Sequence, residues 1–366
     1  MKFTINREQL LTPLQQIVSV IEKRQTMPIL SNVLIVVEEG LLVLTGTDLE
    51  IQIVAKISLS EAENGEITVP ARKFLDLCRL LPANAEIKLE ANEDKVKLTS
   101  GRSKFSLSTL PADNYPEFSE SELPNSFIIN AGKLKRALDK TMFCMANQDV
   151  RYYLNGLMLN VSNSKLKLVA SDGHRLSIYK DDMDTETGYE ERIIMPRKGV
   201  IELARLLDDE NAELNVEFSE NNIRVSIKNL VFSAKLVDAK YPDFSKVFEQ
   251  AFLSPISIPK QQFKETLTRV SVLANEKFKG VTFDISDNLL KITTHNPEHD
   301  EGEEEIAVDY EGEPLIIAFN AAYLLDALAN LDGDKALLTI AANVSSCFIE
   351  EPNQDAYKFI VMPMRL

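Results

Sequence analysis

The sequence predicts an α+β chain of three repeats, each holding two copies of a strand, a helix and three further strands. Three observations carry this expectation. One strand-then-helix signature recurs at near-constant intervals, a second signature recurs at the same intervals, and short alternating apolar runs lie between the expected helices.

The first signature is Phe3-Thr-Ile-x4-Leu10-x3-Leu14. It returns as Phe127-Ile-Ile-x4-Leu134-x3-Leu138 after 124 residues, and as Ile256-Ser-Ile-x4-Phe263-x3-Leu267 after a further 129. Each copy alternates apolar residues as a strand does, then changes to the i, i+4 spacing of a helix. The second signature is Val69-Pro-Ala-Arg-Lys, followed by Met195-Pro-Arg-Lys and Ala318-Phe-Asn at intervals of 126 and 123. Behind these come the amphipathic runs Phe74-Leu-Asp-Leu, Val200-Ile-Glu-Leu and Tyr323-Leu-Leu-Asp. Tyr115-Pro-Glu-Phe recurs as Tyr241-Pro-Asp-Phe after 126 residues, and Thr45-Gly-Thr-Asp48-Leu pairs with Ala170-Ser-Asp172-Gly-His. Between helices, the runs starting at Asn32, Leu41 and Ile51 alternate in hydropathy. Glu39-Gly40, Asn64-Gly65 and Ser100-Gly101 supply hairpin turns. Three domains follow, 1–120, 126–247 and 248–366, with linkers near 117–125 and 246–254. Each is expected to lay two helices over one side of antiparallel sheet.

At 366 residues the chain exceeds one ordinary core. It contains no run of roughly 20 apolar residues, so no membrane helix and no membrane partner are expected. MKFTINREQL lacks the apolar region of a signal peptide. Cys78, Cys144 and Cys347 are few, odd in number and widely spaced, which suits buried thiols in a reducing, cytoplasmic setting.

The formal net charge is −16, which at first sight opposes nucleic-acid binding. Its distribution matters more than its total, because a partner meets one face. The expected helical windows 7–24, 71–81, 132–143, 197–207 and 260–270 carry +1, +2, +3, +2 and +2, and 320–331 carries −1. They total +9 against −25 for the rest of the chain. Basic helices on one side of acidic sheets would confine DNA to one surface. With no base-reading motif, that contact is expected to be sequence-independent.

Catalytic signatures are lacking. His295-Asn-Pro-Glu-His299 departs from the zinc-protease pattern, since Asn296-Pro297 interrupts any helix, leaving an adventitious metal at most. No phosphate-cradling glycine loop occurs, and no cofactor, catalytic residue or dedicated metal site is expected. The competing class is a structural repeat protein or hydrolase with an acidic surface, which would not distinguish circular from linear DNA.

LTGTDLE, VPARKF, GRSKFSLSTLPA, QDVRYYLNG, DGHRL, PRKGVIEL, KLVDAKYPDF, NEKFKG and the terminal VMPMRL together resemble the bacterial sliding-clamp family, the beta subunits of DNA polymerase III. The resemblance runs in order from Met1 to Leu366. It implies three DNA-clamp domains and a head-to-tail homodimer closing into a ring around double-stranded DNA. It also implies partnership with the clamp loader complex, and with the polymerase alpha subunit, other polymerases and repair proteins through short linear peptides. Twelve helices spaced by about 9 Å span a circle roughly 34 Å across; subtracting about 10 Å for one helix diameter leaves room for a duplex.

By motif, the resemblance assigns DNA contacts to Arg24, Arg72, Gln148, Tyr152 and Tyr153, with Lys198 added on charge. At least one of the two tyrosines is expected to pack in the core. Asn320–Leu331, against the charge trend, is expected to contribute little. The resemblance places a peptide groove at Leu154, Ser171, Gly173, His174, Arg175, Leu176, Pro242, Lys246, Val247, Asn320, Tyr323, Val344 and Ser346. The tail Val361, Met362, Pro363, Met364, Arg365 and Leu366 completes it, and methionine there suits a surface taking several ligands. Dimer closure falls to Lys73, Lys95, Lys104, Phe105 and Leu107 against Val272, Leu273, Glu298, Asp300, Glu301 and Glu304, a heterologous contact that closes by rotation.

Overall fold

The computed structural model describes residues 1–22, 27–92, 94–118, 122–183 and 186–365. Two expected site residues, Arg24 and Leu366, lie outside the described residues. Six times along the chain a strand runs into a helix and three more strands follow. The helices are α1 (Arg7–Val18), α2 (Ala71–Leu80), α3 (Ala131–Met142), α4 (Arg197–Leu206), α5 (Lys260–Ser271) and α6 (Ala321–Ala329).

The helix starts show why these sequences switch from strand to helix. Three helices follow an asparagine whose side chain caps the first turn. Asn6 accepts from Glu8 N at 3.0 Å, Asn130 from Lys133 N at 3.2 Å and Asn320 from Ala322 N at 2.9 Å. The other three follow Pro70, Pro196 and Pro259, each the last residue of its strand. All three strands lie at the end of a sheet, where the missing proline N–H leaves no ladder bond broken.

The chain forms two compact units, Met1–Lys135 with Lys198–Leu236, and Arg136–Arg197 with Val237–Leu366. Every sheet in both is antiparallel. The first unit holds a five-stranded sheet ending in Ser103–Ser108 and an eight-stranded sheet. The eight-stranded sheet joins strands of two sequence repeats, because Ile51–Ser58 pairs with Leu230–Lys235 and sets Ala55 opposite Leu230. Helix α1 buries Leu10, Leu14 and Ile17, and α2 buries Phe74 and Cys78. Gly46 permits that approach: a Cβ there would stand 2.5 Å from Ile17 Cγ2. Burying each such large apolar side chain stabilises the unit by about 1.5–3 kcal/mol.

The second unit repeats the design with an eight-stranded and a four-stranded sheet. Here Arg175–Asp182 pairs with Tyr357–Val361, setting Arg175 opposite Val361. Phe263 of α5 packs edge-on against Phe283 at 5.8 Å, and Phe283 lies 5.2 Å from Phe319. Segment 246–254, expected to be a linker, is built into this unit. A 3-10 turn spans Ser245–Phe248, and Phe252 pairs with Ala341 and meets the Phe348 ring at 4.9 Å. Among the described residues no helix is long and apolar enough to cross a membrane.

Candidate functional site

On one face of the second unit's large sheet, strand Lys165–Ser171 and strand Arg175–Asp182 meet at a tight turn. Asp172 fixes this turn: its carboxylate accepts from His174 N at 2.9 Å, Arg175 N at 3.0 Å and Arg175 Nε at 3.0 Å. Gly173 has φ of +88°, and the Arg151 guanidinium lies 2.7 Å from where a Cβ would stand. Glycine meets both conditions without strain or displacement of Arg151. Ser171, 2% exposed, donates to Arg175 O at 2.8 Å, and its N–H donates to Tyr241 Oη at 3.0 Å.

This turn forms one wall of an apolar cavity of about 100 Å³. Seven expected groove residues line it: Ser171, Gly173, Arg175, Leu176, Val247, Ser346 and Met362. Phe244, Gln250, Ser345 and Ile360 also line it and were not foreseen. Phe244 had a signal, since it ends the recurring Tyr-Pro-Asp-Phe marker; the other three had none. Beneath, Met158, Val169, Leu176, Ile178, Phe348 and Ile360 form a buried cluster covered by Tyr241, Phe244 and Val247. Burial pushes the Tyr241 phenol pKa up, so it stays neutral at the cavity wall.

The remaining groove residues lie around this cavity rather than in its lining. Leu154 is buried. His174 stacks on Tyr323 with ring centres 6.5 Å apart, and the Arg175 guanidinium lies 4.6 Å from the Tyr323 ring centre while also bonding Asp326. Asn320 is committed to capping α6. Pro242 lines a separate, larger cleft of about 930 Å³. Val344 adopts φ of +55°, Lys246 is exposed on the Ser245–Phe248 turn, and Val361 is buried at a strand end. The tail is anchored by backbone bonds, Met362 N to His174 O at 2.8 Å and Met364 N to Ala318 O at 2.7 Å. Pro363 lies between these anchors and Arg365 follows them, exposed.

Arg72 and Lys198 lie in the first unit; Gln148, Tyr152 and Tyr153 lie in the second. Neither tyrosine packs in the core, which corrects the expectation for that pair: Tyr152 is 58% exposed and Tyr153 half-buried. They occupy a short 3-10 turn whose inward anchor is Leu154, leaving the rings to meet each other edge-on at 6.0 Å. Asp149 secures the loop by accepting from Arg151 Nε at 3.0 Å and Nη2 at 2.8 Å; these bonds hold its carboxyl at about 2. Lys198 is engaged by Glu22 at 2.7 Å and by Asp48, so its charge is balanced within its unit. Its partial burial opposes the charge, but these two bonds raise its pKa overall.

The recurrent bases at helix starts also have a structural duty. Arg7 donates to Cys78 O and Arg79 O at the end of α2, at 2.8 and 2.9 Å. Arg72 donates to Ile21 O beyond α1 at 2.9 Å, and Lys135 of α3 to Ala204 O near the end of α4 at 3.3 Å. Arg197 reaches Met145 O beyond α3 at 2.9 Å, and Lys260 reaches Leu331 O beyond α6 at 3.1 Å. Helix C-termini leave carbonyls unpaired and carry partial negative charge. A base from another helix answers both needs. Helix α6 opens with Ala321-Ala322 and has no such base in its first turn.

The expected closure residues divide between two sheet edges. Strand Ser103–Ser108 ends the five-stranded sheet, with Phe105 half-buried, Lys104 exposed on that strand and Lys95 exposed on the neighbouring one; Lys73 is exposed on α2. Leu107, on the same edge strand, is largely buried within its own chain opposite Val96. Strand Glu301–Ala307 ends the four-stranded sheet. Val272 is 77% exposed, Leu273 half-buried, and Glu298, Asp300 and Glu301 exposed. Glu304 is already engaged by Arg269 through two bonds of 2.7 Å. His295 ends a strand and His299 sits in a turn with φ of +70°. Among the described residues, no three His, Cys, Asp or Glu side chains cluster as metal ligands.

Comparison with known proteins gives three consecutive family matches, to the N-terminal, central and C-terminal domains of the DNA polymerase III beta subunit over residues 1–119, 128–243 and 245–365. The chain is 44% identical over 367 residues to the beta sliding clamp of Pseudomonas aeruginosa and 42% identical to that of Escherichia coli K12, with 100% of each chain covered. Among solved structures, the P. aeruginosa clamp bound to griselimycin matches with a TM-score of 0.97 at 44% identity. The polymerase III beta protein of Caulobacter crescentus matches with 0.94 at 32%, and coverage is 100% of both chains in each case.

Proposed function

This chain belongs to the DNA polymerase III beta-subunit family, the bacterial sliding clamps, and from that premise we propose how its own residues perform the clamp's work. The protein is a DNA sliding clamp of three clamp domains, a processivity factor in DNA replication and not an enzyme. In our reading the domains span 1–120, 126–247 and 248–366, and two protomers join head to tail into a ring around duplex DNA in the cytoplasm. The edge strand Ser103–Ser108 of one protomer lies beside Glu301–Ala307 of its partner. Phe105, Val272 and Leu273 form the apolar seam, and Lys73, Lys95 and Lys104 approach Glu298, Asp300 and Glu301. The position of both strands at sheet ends supports this, since an unpaired edge is a template for another strand.

DNA is held topologically, so contacts can be few and weak. Arg72, Gln148, Tyr152 and Tyr153 supply them to the sugar-phosphate backbone; Lys198, balanced by two carboxylates, contributes less. The clamp loader, the polymerase alpha subunit and other polymerases or repair proteins dock short peptides whose apolar side chains enter the cavity between Leu176, Val247 and Met362. The observation that carries the reading is the sixfold strand–helix–three-strand recurrence along a chain matched end to end by clamp-family domains. Sedimentation equilibrium tests the closure: a mass twice the 41.1 kDa of one chain is expected, and a monomer at micromolar concentration contradicts it.

A further inference from the structure

The large sheet of the second unit carries an unusual row of charge. Antiparallel register places Arg192 opposite Asn160, Asn160 opposite Lys167, and Lys167 opposite Lys180, so all four share one face. Like charges directly opposite one another destabilise a sheet. Burial, reinforced by the nearby Lys180 and Arg192 charges, lowers the Lys167 pKa. The row lines the cleft of about 930 Å³, together with Lys240, Asp243 and Glu249. Four cations thus face two carboxylates, in a chain whose net charge is −16. Arg192 pairs with Glu190 at 3.0 Å; Lys167 and Lys180 have no carboxylate within ion-pair distance among the described residues.

This cleft is separate from the apolar cavity but adjoins it. Phe244 lines both, and both lie on the same sheet face. The rows along that face run from Ser171 and Leu176 at the cavity, through Val169 and Ile178, which Tyr241, Phe244 and Val247 cover, to Lys167 and Lys180, so a segment joining the two sites passes over those covering side chains. Leu176 and Lys180 are four residues apart along one strand, about 13 Å. Four residues of extended peptide cover the same span.

We propose that the cleft receives a carboxylate-bearing segment of the same partner peptide whose apolar residues fill the cavity, with Lys167 and Lys180 as its recognition pair. The charge of the row selects an anionic occupant, and its distance from the cavity sets the spacing of acidic from apolar residues. A duplex-phosphate occupant is disfavoured because the row adjoins the peptide cavity. The proposal rests on the groove reading given above.

Three fluorescent peptides sharing a Leu-Leu-Phe core test it on the full-length clamp. One carries four glutamates before the core, one carries four after it, and one carries glutamines on both sides. One of the glutamate peptides is expected to bind about fivefold to tenfold more tightly than the glutamine peptide at low salt. That advantage disappears in the Lys167→Gln/Lys180→Gln double variant, while the glutamine peptide binds both proteins equally. Equal binding of all three peptides to the unaltered clamp, or an advantage that survives the double variant, overturns the proposal with the groove intact. If no peptide binds, the groove reading itself falls and takes this one with it. If the double variant instead weakens duplex DNA binding without altering the peptide series, the row serves phosphates and the proposal is wrong. The variants relieve repulsion, so their melting temperatures should match or exceed that of the unaltered protein; a drop would contradict the unbalanced charge of the row and overturn the proposal.

Discussion

Arg7 Nε donates to the Cys78 carbonyl at 2.8 Å, so the first residue of α1 closes the last turn of α2. With its second bond to Arg79 O, the guanidinium satisfies two carbonyls that the helix leaves open. Replacing Arg7 with Gln should destabilise the first unit by about 1–3 kcal/mol, the range for charged hydrogen bonds and orphaned acceptors. Urea unfolding followed by circular dichroism checks this. Lys264→Gln, at an exposed position of α5, is the control and should stay within about 0.5 kcal/mol.

The two ends of the expected apolar seam should respond differently. Leu107→Ala removes a side chain from its own core and should cost about 2–4 kcal/mol of stability. Val272→Ala combined with Leu273→Ala should instead leave unfolding nearly unchanged and shift sedimentation toward the monomer on dilution. An unaltered sedimentation coefficient across dilutions counts against the seam.

Acidification should release the loop that carries Gln148, Tyr152 and Tyr153. The Arg151 hydrogen bonds hold the Asp149 carboxyl at about 2, below its ordinary 3.8. A depressed folded-state pKa contributes stability above the unfolded value and loses it as pH falls through the folded one. The contribution is therefore intact above about pH 4 and gone near pH 2. An NMR titration of Asp149 should show the low midpoint, and Arg151→Gln should return it toward the ordinary value.

Removing Met362–Leu366 should abolish capture of partner peptides while leaving the dimer mass unchanged. Met362 lines the cavity, and its N–H bond to His174 O ties the tail to the adjoining Asp172–Arg175 turn. Fluorescence anisotropy and sedimentation on the same sample separate the two outcomes. Equal loss of both activities refutes the groove assignment.

Local pattern made the strand–helix units legible, because a change from period two to i, i+4 spacing is written in consecutive residues such as Phe3 to Leu14. Pairings such as Ala55 with Leu230 were not legible, since they depend on which edges meet after each repeat has folded. The same divide runs through the site. The chemistry of Ser171–Leu176 could be read from a motif, whereas Gln250, Ser345 and Ile360 reach the cavity from separate segments with no shared pattern. The basic helix starts were visible as charge, but their carbonyl acceptors became evident only from the fold.

The central claim, that this chain encloses DNA and does not grip it, is tested most directly by loading the protein on a nicked circular plasmid, linearising half the sample, and measuring protein retained after gel filtration in high salt. The account predicts retention on the circle and loss from the linear form through its free ends. Equal retention on both, or release from both, would contradict it.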